Sequence, residues 1–368
     1  MRGKLALLLL CGVCGAGDLD TVFAPLIHGK SPGMAVLVRK DGRTVFERGY
    51  GIRDLRTFAA IDAKTNFRLA SFTKQFTAMA AMLLVHDGKL RYDVRLTEIF
   101  PDFPDYGRAI TVRHLLTHTS GLPDYEDLMD AAGNRWSAAR QIQDDEVLGL
   151  LKSRAKPKFE PGTSWAYSNS GYVLLGLVVA KASGVPFGQF LTERIFTPLR
   201  MSRTIAYEQG KSKVPKRAFG HSRKGEAWVE TDQSSTSATL GDGGVYSNLD
   251  DLARWDAALE QHSLLSAAEM DAAFTPVRLT DGTQPRWPAK PGEDNLDPGK
   301  PVSYGFGWFL DTYEGRARTW HSGTTTGFRT VIQRFPAERL TVIVLCNRTD
   351  LDASKLALQA ADLFLQKR

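Results

Sequence analysis

Strand-forming runs lie at the two ends of the chain and helix-forming runs lie between them, and this arrangement restricts its architecture more than any other feature. Met34–Lys40 and Arg43–Tyr50 are β-type runs separated by Asp41-Gly42, a dipeptide that favours the tight turn of a hairpin. Toward the other end, Tyr304–Leu310, Arg316–His321, Phe328–Phe335 and Leu340–Cys346 are four more strand candidates. Thr341 to Cys346 has no polar alternation beyond its first residue, so that strand should be covered on both faces. A helix is expected over Ala353–Gln366. Between the two strand groups, helical patterns cover Ser71–Asp87, stopped by Gly88, then Val112–Leu116, Asp144–Lys152, Tyr172–Ser183, Phe187–Ile195 and Asp250–Leu259. Strand groups this far apart in sequence reach a common core by pairing with each other. The expected fold is α+β: an antiparallel sheet formed by the N- and C-terminal parts and flanked by helices, with a large, mostly helical inserted region. The sheet region covers about 30–70 and 300–368 and the helical region about 71–300, with a ligand cleft where the two meet.

A length of 368 residues exceeds one ordinary core and suggests two domains, or one large domain carrying a big insertion. With 43% hydrophobic and 24% charged residues, a disordered or fibrous chain is excluded. The start has the three parts of a secretory signal peptide: Arg2 and Lys4, an apolar stretch from Leu5 to Cys14, and the small residues Gly15-Ala16-Gly17. Cleavage after Ala16 is expected, leaving 17–368 as the mature domain in the periplasm or outside the cell. The apolar run is half the length of a membrane span, and no longer one follows, so anchoring is the weaker reading. Three cysteines, two of them in this leader, make no disulfide framework. The net charge is +6, and the densest basic stretch holds Lys211, Lys213, Lys216, Arg217, Arg223 and Lys224, interrupted by Pro and Gly. This is the composition of a solvated loop, and no nucleic-acid-reading motif accompanies it.

Several motifs compete for the chemistry. Gly29-Lys30-Ser31-Pro32-Gly33 matches the G-x-S-x-G nucleophile elbow, but Pro32 has no N–H for an oxyanion hole and a strand follows instead of a helix. His114 and His118 have the spacing of a zinc pair on one helix face, yet no base follows His114 and no third ligand is near in sequence. No metal is expected. Ser71-Phe72-Thr73-Lys74 is the sharper candidate. At i and i+3 the serine and lysine are neighbours on a helix, and a helix start directs free N–H groups at a group bonded to the serine. The same dipole, together with burial, disfavours charge on Lys74, suiting it to accept the serine proton. The pattern alone is cheap, because Ser153-Arg154-Ala155-Lys156 matches it in a basic stretch running into Pro157. Tyr167-Ser168-Asn169 offers a tyrosine base and an amide-binding asparagine; Tyr246-Ser247-Asn248 repeats it but reads as the N-cap of the next helix. His321-Ser322-Gly323 ends a strand, where a glycine permits close approach of a ligand.

In this order, the Ser71–Lys74, Tyr167–Asn169 and His321–Gly323 segments resemble the serine β-lactamase and penicillin-binding protein superfamily, in its class C-like branch. The stretches Leu115–Leu122, Glu160–Thr163 running into Tyr167–Tyr172, Gly243-Gly244 and Tyr304–Trp308 are similar to family segments too, so the resemblance covers nearly the whole mature chain. It implies a β-lactamase/transpeptidase-like fold and an acyl-enzyme mechanism with no cofactor. By resemblance, Ser71 is acylated, Lys74 activates it, Tyr167 exchanges protons with the leaving group, and Asn169 orients the substrate amide. Ser322, Gly323 and Thr324 border the substrate, with an oxyanion hole made of the Ser71 and Thr324 N–H groups. His321 departs from the lysine of true β-lactamases; an imidazole of ordinary pKa is mostly neutral at pH 7 and attracts a substrate carboxylate weakly. The resulting expectation is an exported serine hydrolase of peptide, amide or ester bonds, acting on a small-molecule or peptide substrate that could derive from the cell wall. A class C-like β-lactamase and a non-catalytic penicillin-recognising module are the alternatives.

Overall fold

The structure, a computed structural model, describes residues 16–133, 135–289 and 297–365, so the expected leader lies outside it except for its last residue. Six strands form the main sheet: β1 (Met34–Lys40), β2 (Arg43–Tyr50), β3 (Phe309–Tyr313), β4 (Arg316–Thr325), β5 (Phe328–Phe335) and β6 (Leu340–Cys346). Their order is β3-β4-β5-β6-β1-β2, antiparallel throughout, so the two ends of the chain meet at the β6–β1 pair. Asp41 and Gly42 both take positive φ, 51° and 77°, the geometry that lets a two-residue turn follow the twist of its strands. β6 is buried along its whole length, as its unbroken apolar run requires.

Helices α1 (Ala16–Phe23) and α5 (Ala353–Asp362) cover one face of the sheet, where Leu19, Phe23, Leu356 and Ala360 pack against Val36, Val344 and Phe335. The other face, through Leu37, Ile332 and Ile343, joins the larger core of the inserted region. Three helices of that region position the site and its surroundings: α2 (Lys74–His86), α3 (Asn169–Ser183) and α4 (Leu249–Gln261). No single described helix is long and apolar enough to cross a membrane.

Several expectations shift, and β4 runs on to Thr325, past the His321 end that the sequence indicates. The first C-terminal strand runs over 309–313 instead of 304–310, because Tyr304 makes only an isolated bridge to Phe309. The helix expected from Ser71 opens with a 3-10 turn, Ala70–Thr73, before α2. The helix expected over 187–195 is a short α-helix, Phe187–Leu191, continued by one π turn. Part of the basic stretch is not loop: His221–Lys224 pairs with Ala227–Glu230 around Gly225.

Candidate active site

Ser71 sits where the chain leaves a short strand, Phe67–Arg68, and turns into α2. Ala70, just before it, is held at φ 50°, a left-handed conformation uncommon outside glycine and a mark of a tightly constrained turn. A 3-10 turn has three residues per turn, so side chains at i and i+3 eclipse. That geometry brings Lys74 Nζ to 3.0 Å from Ser71 Oγ. Lys74 is fully buried, and its amine also donates to Asn169 Oδ1 at 2.9 Å and to the Asp242 carbonyl at 3.1 Å. Both of those atoms can only accept. In the neutral amine, N–H groups aimed at them turn the nitrogen lone pair toward the serine hydroxyl.

The Tyr167-Ser168-Asn169 turn is held from three sides. Ser168 caps α3 through the Gly171 N–H, its own N–H goes to His118 Nδ1 at 3.1 Å, and the Asn169 N–H goes to Asp124 Oδ2 at 2.9 Å. α3 therefore starts at Asn169, three residues before the periodicity indicates, because the cap and not the apolar stripe sets its beginning. The Tyr167 ring lies 4.9 Å from Lys74 Nζ and stacks on Phe309. The second copy behaves as expected: Asn248 caps α4 through the Asp251 N–H at 3.1 Å, and Tyr246 is buried against Arg217. Ser153 ends the 144–152 helix and returns its hydroxyl to the Leu150 carbonyl. The histidine pair is separated as well. His114 caps the 112–116 helix at Thr111, whereas His118 lies past its end at φ 60°. Among the described residues no three metal-ligating side chains gather at one point.

β4 forms the opposite wall. Ser71, Tyr167, Asn169, His321, Ser322 and Thr324 all line one cleft of about 680 Å³. Gly323 does not, and its expected role needs correcting. A Cβ there would stand 2.0 Å from the Leu69 carbonyl oxygen, so the glycine admits the chain segment before Ser71 and not a ligand. Thr330 on β5 donates to that same carbonyl at 2.7 Å. His321 is neutral at pH 7 as expected, but its pKa is not the ordinary one. Its Nδ1 lies 2.7 Å from the Ser322 carbonyl, an acceptor, so Nδ1 carries the proton and Nε2 accepts from the Tyr304 hydroxyl at 3.1 Å. Both ring nitrogens are occupied, and burial together with the Lys74 charge pushes the imidazole down to about 3. It is neutral at any working pH and cannot act as the carboxylate-binding cation. The sequence points to His118 only as half of a zinc-spaced pair and gives no signal for Asp242, Tyr304 or Thr330, which act through a backbone carbonyl or from behind the site.

Burial and the Lys74 charge also push His118 well below its usual range. Both imidazoles have an ordinary pKa of 6.5 once unfolded, so below that pH the unfolded chain takes up protons that the folded chain refuses. Stability is complete above pH 6.5 and falls as pH drops toward the folded values, by ~1.4 kcal/mol per pH unit for each histidine. His321→Gln is expected to remove one such proton. Urea unfolding at pH 6 and pH 5 checks it: the variant should lose ~1.2 kcal/mol less than wild type over that interval, and parallel losses would mean that His321 is hydrated.

A serine and lysine in hydrogen-bond contact, between an antiparallel sheet and a helical region, define a class of active-site-serine proteins. Comparison with known proteins places the chain within it: the β-lactamase family model matches residues 19–365, and the chain belongs to that family, whose members are serine hydrolases. It is 32% identical over 361 residues to penicillin-binding protein 4* of Bacillus subtilis strain 168, covering 94% of this chain and 75% of that protein. Protein flp of Staphylococcus aureus strain MW2 is 26% identical over 339 residues; the match covers 90% of this chain but only 62% of flp. An octameric penicillin-binding protein homologue from Pyrococcus abyssi superposes with a TM-score of 0.77 at 26% identity, covering 96% of this chain and 78% of that one. The D-amino acid amidase of Ochrobactrum anthropi SV3 shares the fold, with a TM-score of 0.75 at 22% identity over 95% of this chain and 98% of that one.

Proposed function

We propose that the chain is an exported serine hydrolase that opens amide or peptide bonds, with esters as lesser substrates, through an acyl-enzyme on Ser71. The observation that carries this reading is the 3.0 Å contact between Lys74 Nζ and Ser71 Oγ, inside a cleft that Tyr167 and Thr324 also line. Ser71 Oγ attacks the carbonyl carbon and its proton passes to the Lys74–Tyr167 pair. The oxyanion is held by the Ser71 and Thr324 N–H groups, the C–N or C–O bond breaks, and Tyr167 returns the proton to the leaving group. Water then frees the acid. Asn169, fixed by Lys74, presents the rest of its amide to the substrate. Export rests on the leader-like composition of the first sixteen residues.

The walls favour a polar, peptide-like substrate. Ser222, Thr231, Ser234, Thr236, Thr325 and Thr326 line the cleft with hydroxyls, together with the aromatic rings of Trp287 and Phe309. With His321 neutral, Arg329 is the cation for a substrate carboxylate. It lines the same cleft, donates only to the Thr325 and Phe328 carbonyls, and pairs with no carboxylate among the described residues. Arg348 cannot serve, since it is clamped to Asp350 and to the Leu26 and Pro32 carbonyls. Free D-amino-acid peptides should therefore be cleaved in preference to their C-terminal amides, by about tenfold or more in kcat/KM, as expected for a charge-assisted contact. Arg329→Gln should erase that ratio and leave turnover of a neutral ester unchanged. A ratio that survives the substitution removes Arg329 from substrate selection; absence of turnover on amides, peptides and esters alike removes the hydrolase reading.

A further inference from the structure

A second cavity, of about 710 Å³, opens between the sheet and the last turns of α4. It lies near the Thr319–Arg334 pair, five residues along β4 and β5 from the Thr324–Arg329 pair at the catalytic cleft, or about 17 Å. Its walls are mostly apolar, built by Leu259, Phe274, Phe335, Pro336 and Leu340. Its floor is charged. Asp256 accepts from Arg39 on one oxygen, and from Arg334 Nε at 2.7 Å and Thr341 Oγ1 at 2.9 Å on the other. Arg39 is completed by the Gly42 carbonyl at 2.9 Å. Arg334 is not completed: only its Nε is engaged, and its two terminal nitrogens have no acceptor among the described residues, although the residue is only 8% exposed. Thr319 Oγ1 on the same wall is buried without a partner. Two largely buried guanidinium groups thus share one carboxylate, which leaves one positive charge uncompensated at the floor of the cavity.

We infer that this cavity is a binding site for a small amphipathic monocarboxylate, its carboxylate on Arg334 and Thr319 and its apolar body along Phe274, Phe335 and Leu340. The volume falls within the range of sites for small organic ligands. The rim sets the orientation. Glu260 pairs there with the exposed Arg339 at 2.8 Å, and the carboxyl end of α4 adds further negative character. Arg339 meets the Glu260 charge, so an anion gains no net attraction at the mouth and is held with its charge at the floor. The inference is independent of the chemistry at Ser71, since no residue of this cavity lines the catalytic cleft.

Titration calorimetry of the Ser71→Ala protein with 4-phenylbutyrate and its neutral amide, at neutral pH and low salt, tests it. The acid should bind saturably and the amide at least about tenfold more weakly. Arg334→Gln should weaken the acid by about tenfold or more while the free protein unfolds at the same or a higher urea concentration, because Asp256 keeps Arg39 and Thr341 and the surplus cation is gone. Glu260→Gln should tighten the acid about twofold to threefold, and this variant decides the matter if Arg334→Gln does not fold. Arg329→Gln should leave the affinity unchanged, which separates this site from the catalytic cleft. Equal affinity for acid and amide, no saturable binding of the acid, or an affinity indifferent to both Arg334→Gln and Glu260→Gln overturns the inference.

Discussion

Ser71→Ala is expected to abolish turnover of every substrate and to abolish covalent labelling by a fluorophosphonate or a labelled penicillin, while leaving the unfolding midpoint close to that of wild type. Ser71 contributes a single hydroxyl to the site's interior, and Lys74 keeps Asn169 Oδ1 and the Asp242 carbonyl as acceptors without it. Lys74→Met acts differently. It removes the proton acceptor, which should cost about 10²- to 10⁴-fold in turnover. It also strips the buried Asp242 carbonyl of its donor, at about 1–3 kcal/mol of stability, while Asn169 Oδ1 can turn to water in the cleft. The two variants therefore separate on a plot of activity against stability: Ser71→Ala inactive and stable, Lys74→Met nearly inactive and destabilised. Mass spectrometry of the labelled protein gives the decisive reading. A label on Ser153 or Ser31, or turnover retained by Ser71→Ala, would refute the assignment.

How much of this was legible before the fold was known differs by residue. The sheet could be read because its strands announce themselves locally: Asp41-Gly42 fixes a hairpin, and the run ending at Cys346 can only be a strand buried on both faces. The choice between Tyr167 and Tyr246 was also available, since Asn248 stands directly before an acidic first turn, Asp250 and Asp251, as an N-cap does. The start of the first C-terminal strand was misplaced because Tyr304, Phe306 and Trp308 alternate as strand residues do while packing into the core from an irregular segment. That His321 is mostly neutral at pH 7 could be read, but its tautomer and the depth of its pKa shift could not. These depend on Tyr304, seventeen positions away, and on the degree of burial, neither of which spacing along the chain encodes. The Asp242 carbonyl that anchors Lys74 is equally silent, because a backbone acceptor carries no residue signature.

Gly323 is the clearest case of a residue noticed for one reason and required for another, and its substitution should have the second-largest effect. A Cβ at position 323 would stand 2.0 Å from the Leu69 carbonyl oxygen and 2.4 Å from Thr330 Oγ1. Neither can withdraw freely: the two are hydrogen-bonded to each other at 2.7 Å, and Leu69 donates its own N–H to the Val245 carbonyl at 2.8 Å. Gly323→Ala must therefore push β4 away from the turn that carries Ser71, parting the Ser71 N–H from that of Thr324. Overpacking of this kind costs about 1–3 kcal/mol, and a displacement of about 1 Å between reacting groups can cost 10²-fold in rate. The expected result is a folded protein with a lowered unfolding midpoint and a kcat reduced at least about 10²-fold, with KM changed far less. Gly149 provides the control. It lies in the 144–152 helix with nothing within 4 Å of its notional Cβ, so Gly149→Ala should be neutral or stabilise by up to ~1 kcal/mol with activity intact. If Gly323→Ala matches Gly149→Ala in both turnover and stability, β4 can shift without consequence, and the contact between Gly323 and Leu69 does not set the spacing of the two N–H groups.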